Sequence, residues 1–187
     1  MPYRDLILRS APSVTRYVGV DLPQSGYASP EVVWDGRALP FSTRSVGAVL
    51  LMEVLEHCFE PRPVLTEARR VLSDDGVLLV TVPFLWPLHD VPNDYYRYTP
   101  MALERHLRET GFDTVCIGAL GGWDASLAQM LGLWVRRRPM RAWKRSLAAR
   151  LLAAPVKWLI ARDGHLCRLG EGCMITGLWA TARRAPS

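Results

Sequence analysis

What this sequence lacks narrows it first. In its 187 residues no apolar run approaches the length of about 18–20 residues that a helical bilayer span needs. Charges at Arg4 and Asp5 interrupt the N-terminus before an export signal could form. Four cysteines (Cys58, Cys116, Cys167 and Cys173) are scattered, without the spacing of a disulfide framework. Internal repeats and low-complexity segments are missing too. These absences count against a membrane-spanning protein and against a small disulfide-stapled one, and make a reducing cytoplasm the expected compartment. With 49% hydrophobic residues the chain is long enough for one domain with a real core, and too short for two of full size.

The net charge of +5 conceals an asymmetry. Residues 1–122 carry 11 Lys/Arg against 15 Asp/Glu, whereas residues 123–187 carry 12 against 3. Such a split suits a tail that faces an anionic partner, one that packs on the acidic body, or a solvated basic face. Residues 134–162 are basic and rich in Ala, Leu and Trp, and the pattern predicts helix up to Pro155. Trp143, Leu147, Leu151, Ala154 and Trp158 share one side, while Leu152 and Leu159 fall elsewhere, so the amphipathicity is partial. That stretch is either an insert packing on the body or an element lying on a membrane surface.

Strands and helices alternate along the rest. Residues 16–21 and 32–34 read as short buried strands ending at Asp21 and Asp35. Residues 46–52 are continuously apolar, as in a parallel strand covered on both faces. Pro61 and Pro63 open a helix whose Val64, Leu65, Ala68, Val71 and Leu72 share a face, stopped by residues 73–76. A strand at 77–82 follows, then a helix with Thr99 as N-cap, Pro100 at its first position and Gly111 past its end. Strands at 114–117 and 174–182 complete the order. The fold class is α/β with a mostly parallel, Rossmann-like sheet: one domain with a core at 1–122, a basic helical insert at 123–173, and a last strand and tail at 174–187.

In open α/β sheets ligands sit beyond the C-terminal ends of the strands, and Asp21, Asp35 and Glu53 collect there. A strand-end carboxylate suits two ribose hydroxyls, and Asp35-Gly36 offers a carboxylate and a backbone N–H to an adenine. In order, the segments Tyr17-Val18-Gly19-Val20-Asp21, Asp35-Gly36-Arg37-Ala38-Leu39-Pro40-Phe41, Glu53-Val54-Leu55-Glu56-His57 and Glu67-Ala68-Arg69-Arg70-Val71-Leu72 resemble the class I S-adenosylmethionine-dependent methyltransferases of the type 11-like group. The resemblance runs over about residues 2–112 and is echoed at Thr176-Gly177-Leu178.

The resemblance implies S-adenosylmethionine as cofactor, with Asp21 and the adjoining Leu22 at the ribose, Asp35 and Gly36 at the adenine, and Met52 and Glu53 at the methionine part and methyl. His57 is then either a general base or a residue that orders the turn. The segment from Pro83 to Thr99 falls where the family places its acceptor pocket. There His89 and Asp94 could take a proton, while Tyr95, Arg97 and Tyr98 could hold a small-molecule or glycan acceptor, with Arg97 suited to a phosphate-bearing or lipid-linked one. Alternatively the loop is structural, with Asp94 and Arg97 paired internally. A cytoplasmic protein, peripheral at the inner membrane surface through 134–162, fits this acceptor class. Nucleic acid is disfavoured, because no Asn/Asp-Pro-Pro-Tyr-type motif for flipped bases is present. The "LPF…LEH" series argues against a nicotinamide oxidoreductase. No metal is expected: His165, Cys167 and Cys173 match no standard zinc spacing and lack a fourth ligand.

The family also needs a glycine-rich turn after its first strand, roughly 20 residues before the ribose acid. Counting back from Asp21 reaches residue 1, so the first strand and its turn are expected to be missing, with Pro2, Leu6 and Ile7 opening the first helix. That strand belongs between the strands at 16–21 and 46–52. Its absence leaves three outcomes: a start upstream, closure of the two flanking strands, or a non-catalytic remnant that serves as an interaction module.

Overall fold

The computed structural model describes residues 3–22, 30–164 and 169–184. A short helix α1 (Arg4–Ser10) precedes β1 (Val20–Asp21) and β2 (Val32–Val33). Then come β3 (Val46–Met52), a 3-10 turn at Leu55–His57, α2 (Pro61–Val71), β4 (Leu72–Pro83) and α3 (Pro100–Glu109). Last are β5 (Phe112–Leu120), α4 (Trp123–Arg137), α5 (Ala142–Arg162) and β6 (Gly177–Arg184). No helix is long and apolar enough to cross a membrane among the described residues.

The strands form two sheets. β1 and β2 pair in parallel, and a second sheet runs β3-β4-β6-β5. In it β3 and β4 are parallel, while β6 is antiparallel to both β4 and β5. Thus β3, β4 and β5 run in one direction and only β6 is reversed. Among the described residues no ladder joins β1 to β3. The break falls between the two strands expected to flank an absent one, and they have not closed up on each other.

The core lies on one face of the four-stranded sheet. Leu78, Val80 and Val82 of β4 are fully buried, register with Ala182, Ala180 and Leu178 of β6, and are covered by Leu65 and Ala68 of α2 and Leu103 and Leu107 of α3. Replacing one of these leucines by alanine costs about 2–5 kcal/mol. The opposite face is not sealed. β3 has no buried residue, and Gly47 and Ala48 are exposed, so the expected cover on both faces is corrected to cover on one. A continuous apolar run does not by itself report how many layers pack on it. Gly118 of β5 sits under the indole of its register partner Trp179, and a Cβ there would collide with the ring.

Local signals explain α2 and α3 well. Thr99 Oγ1 accepts from Ala102 N at 3.2 Å, Pro100 occupies the first turn, and Gly111 leaves the helix end at φ +87°. The remaining corrections have physical causes. The first two strands shrink to two residues each, because neither Val20–Asp21 nor Val32–Val33 gains a buried face. Leu6, expected on a buried side, is 63% exposed, and α1 buries nothing. Residues 73–76 do not end in a turn but bulge within β4, between the pairs Val46–Leu72 and Ala48–Val77. Pro155 does not stop α5, since it sits on the helix's exposed side, where water can satisfy the carbonyl one turn back. Cys173 is in a disulfide, which the cysteine spacing did not suggest.

α4 and α5 pack on each other as a hairpin anchored at its base. Asp163 accepts from Gly122 N and Ala125 N, satisfying the free N–H groups at the start of α4. Trp123 Nε1 donates to Gly172 O at 2.8 Å, and Gln129 Nε2 donates to Leu85 O. Beyond that base the hairpin exposes Trp134, Trp143, Leu147, Leu151 and Trp158.

Candidate active site

Parallel pairing gathers the strand ends. Asp21 pairs with Val33 at the end of β1, and Asp35 follows just past β2. Asp21 Oδ1 accepts from Leu22 N at 2.8 Å, and Asp35 Oδ1 accepts from Arg37 N at 2.9 Å. Oδ2 of each has no partner among the described residues, and Gly36 takes the left-handed φ of +83°. Two such free carboxylate oxygens beside a glycine are the donor-accepting set that ribose hydroxyls and an exocyclic amine require, so these residues fit the adenosine end of S-adenosylmethionine. Leu22 is half-exposed beside Asp21.

The loop that carries Asp35 is clamped by α2. Glu67 accepts from Leu39 N at 2.8 Å, and Arg70 donates to Leu39 O and Phe41 O, both at 2.9 Å. Glu67 and Arg70 also pair with each other, which lowers the Glu67 carboxyl below its ordinary range. Two segments quoted above as separate motifs are thus one hydrogen-bonded unit.

At the end of β3, Met52 is half-buried in register with Thr81. Glu53 follows with φ +54°, held there by N–H donation to Thr81 O at 3.0 Å and to Thr81 Oγ1 at 3.2 Å. A non-glycine residue in that region carries strain that persists only where neighbours enforce it. The chain then turns through Leu55–His57 beneath the loop that leaves β4.

Five bonds fasten that loop to the turn. Glu56 O accepts from Tyr95 N at 2.8 Å and Tyr96 N at 3.3 Å. His57 Nδ1 donates to Asn93 O at 2.7 Å, Tyr98 OH to Leu55 O at 3.0 Å, and Tyr96 OH to Phe59 O at 2.8 Å. The rings of His57 and His89 meet edge to face, their centres 4.7 Å apart. His89 pairs through Nδ1 with Asp94 Oδ2 at 3.2 Å, and Arg97 grips the same carboxylate. His57, His89 and Asp94, 37 residues apart at their extremes in the sequence, therefore share one site.

Within it the roles diverge from expectation. Asp94 has a fully buried carboxylate that Arg97 holds well below the usual range. Arg97 is spent on Asp94 and on the carbonyls of Trp86, Pro87 and Tyr96, so its guanidinium is not free for an acceptor's acid. Tyr98 is 2% exposed and belongs to the core. Tyr95 remains open and meets Phe59 edge to face, with Trp86 and Leu88 also exposed on the loop. The residue that sequence reasoning missed is Glu56. Its side chain is fully buried, and that burial raises its carboxyl to about 7, with Glu53 adding to the rise and His57 and Arg97 countering it. Three residues of turn show no periodicity from which burial could be read. A cleft of about 710 Å³ between Arg37, Phe59, Thr66 and His106 is lined by none of Glu53, Glu56, His57 or His89.

Comparison with known proteins bears on the fold and on the first part of the sequence. Residues 7–80 match the family model described as a methyltransferase domain. No curated protein matches the sequence. Among solved structures, the Haloferax volcanii partner of the Trm112 methyltransferase activator superposes with TM-score 0.59 at 17% identity, covering 100% of this chain and 78% of that one. A methyltransferase from Archaeoglobus fulgidus gives 0.56 at 13% identity, covering 97% and 80%. One from Thermotoga maritima gives 0.52 at 13%, covering 82% of this chain and 64% of its own, so the chain spans under two thirds of that relative. At such identities the likeness is one of fold, and the family model adds the sequence match. Over residues 7–80 the chain thus resembles a methyltransferase domain in sequence, and its fold is the one these S-adenosylmethionine-dependent methyltransferases share.

Proposed function

We propose that this protein transfers a methyl group from S-adenosylmethionine to a hydroxyl of a small molecule or glycan. The supporting observation is the fastening of the His89–Asp94–Arg97 loop onto the turn after Glu53, which brings two imidazoles to the strand end where the family holds its methyl donor. When bound, the cofactor supplies a methyl on a sulfonium. The acceptor oxygen forms the new bond to that carbon, the carbon–sulfur bond breaks, and S-adenosylhomocysteine leaves.

In this reading the chain mainly aligns. Asp21, Asp35 and Gly36 hold the adenosine, and Met52 and Glu53 line the methionine part. The hydroxyl proton passes to Nε2 of His57 or His89, with Asp94 positioning His89 rather than taking the proton itself. Tyr95 supplies a flat apolar wall suited to a sugar face. The exposed Trp143, Leu147, Leu151 and Trp158, set among nine Lys/Arg of residues 136–162, favour contact with an anionic membrane surface and hence a lipid-linked or phosphate-bearing acceptor.

The test is twofold. Calorimetry with S-adenosylhomocysteine should show binding that Asp21→Ala weakens and Asp74→Ala does not. Labelled methyl uptake should then appear in a screen of nucleotide sugars, lipid-linked saccharides and small hydroxy compounds. Absence of both binding and uptake would favour the non-catalytic interaction module.

A further inference from the structure

Glu56 is an anomaly of the described structure. Its side chain is 0% exposed, yet neither carboxylate oxygen has a hydrogen-bond partner. Buried polar groups are ordinarily satisfied, and an unpaired buried carboxylate is strongly disfavoured. It faces two imidazoles. Oε1 stands 3.7 Å from His57 Nε2, and one ligating atom each from Glu56, His57 and His89 lies within 4.8 Å of the other two.

The outer hydrogen bonds fix which ring nitrogens are available. His57 Nδ1 faces a carbonyl oxygen, Asn93 O at 2.7 Å, so it carries the proton and Nε2 keeps its lone pair. His89 Nδ1 faces the ionised Asp94 at 3.2 Å, which likewise leaves Nε2 as the ligating nitrogen. Metal-bound histidines are typically held this way, the second nitrogen donating to a carbonyl or carboxylate. Lone pairs converging on a carboxylate repel one another, and a cation among them reverses the sign.

We infer that Glu56, His57 and His89 form a binding site for a divalent first-row transition-metal ion. Two imidazoles and a carboxylate suit zinc, manganese, iron or cobalt better than calcium or magnesium. With metal–ligand bonds of about 2.0–2.2 Å, neighbouring ligands of a tetrahedral ion stand roughly 3.4 Å apart, so the 3.7 Å separation closes with a small side-chain shift. Asp90, exposed at the rim with Oδ2 3.9 Å from His57 Nε2, is a further carboxylate within reach of the site. The remaining position is open to water or to an acceptor hydroxyl, whose proton an ion there would make easier to lose. The site stands on its own geometry and does not depend on the methyl-transfer reading; with an ion bound both Nε2 atoms are occupied, so the ion would take over from the imidazoles in easing loss of the hydroxyl proton.

Metal-stripped full chain is titrated with Co2+ and then Zn2+, with far-ultraviolet circular dichroism as the check on fold. One Co2+ per chain should bind, with visible absorption bands, and Zn2+ should displace it. Glu56→Gln and His89→Ala should each weaken Zn2+ binding by about 10-fold or more. Glu56→Gln keeps the shape of the side chain, so it serves where His89→Ala loosens the loop. Less than one equivalent bound by the intact chain, or variants that bind as tightly as the parent through thiols elsewhere, would overturn the site. Affinity for S-adenosylhomocysteine, measured in parallel, separates the readings: a failed metal site with cofactor binding intact leaves the methyltransferase reading standing.

Discussion

Arg97 holds Asp94 through both terminal nitrogens, at 2.6 and 2.9 Å, and Asp94 in turn holds both the backbone N–H and the ring of His89. One buried ion pair thus sets the pose of an imidazole five residues before it. Asp94→Asn keeps the volume but removes the charge that fixes the His89 tautomer. In a methyl-uptake assay the rate should fall by about 10-fold or more while S-adenosylhomocysteine affinity stays nearly unchanged. Loss of rate and affinity together would mean that the pair supports the fold rather than the chemistry.

The Glu67–Arg70 clamp gives a pH prediction. Arg70 hydrogen bonding holds the folded Glu67 carboxyl below its ordinary value of 4.5. A depressed carboxyl contributes stability above its unfolded value and loses it as pH falls through the folded one. Glu67→Gln should therefore destabilise the protein near neutral pH, by about 1 kcal/mol for so partly exposed a pair, and progressively less below about pH 4. A difference in melting temperature that stays constant from pH 7 to pH 3 would show that the clamp is steric.

The break between β1 and β3 can be tested by joining the two sheets. A strand followed by a Gly-x-Gly turn, fused ahead of residue 1, should add a ladder on each side and bring backbone N–H groups to the cofactor. S-adenosylhomocysteine affinity should then rise by at least about 10-fold, on the order of 1.4 kcal/mol. No gain in a fusion whose melting temperature has risen would show that the strand ends alone hold the cofactor.

The exposed hairpin predicts a lipid preference. The chain should co-sediment with vesicles containing phosphatidylglycerol and not with pure phosphatidylcholine. Trp143→Ser with Trp158→Ser should weaken the association without lowering the melting temperature, since both indoles are exposed. Equal binding to neutral vesicles would remove the electrostatic part of the argument, and no binding to either would remove the membrane contact.

The sequence made much of this fold legible where the signal was local. Thr99, Pro100 and Gly111 bound α3 because caps and φ preferences act within one turn, and the run at 46–52 matches β3. Legibility failed where a residue's fate depends on distant chain. That β6 runs antiparallel between β4 and β5, that Pro155 faces solvent, and that Glu56 turns inward are set by packing partners far away in sequence. The same holds for the site. His57, His89 and Asp94 could be picked by type, whereas the use of Arg97 and Tyr98 inside the loop needed the coordinates.

The position of β6 has a consequence for the life of the nascent chain. The strand that fills the middle of the four-stranded sheet is the last of the six to be translated, after the whole α4–α5 hairpin. Between Leu120 and Thr176, 56 residues must emerge, about 3–11 s at ordinary elongation rates of roughly 5–20 residues per second. For that interval β4 and β5 have no partner on the sides that β6 will occupy, and the face of Leu78, Val80 and Val82 lacks half its neighbours. Translation that stalls within the hairpin therefore strands a chain with two open β edges, a substrate for chaperones or for aggregation.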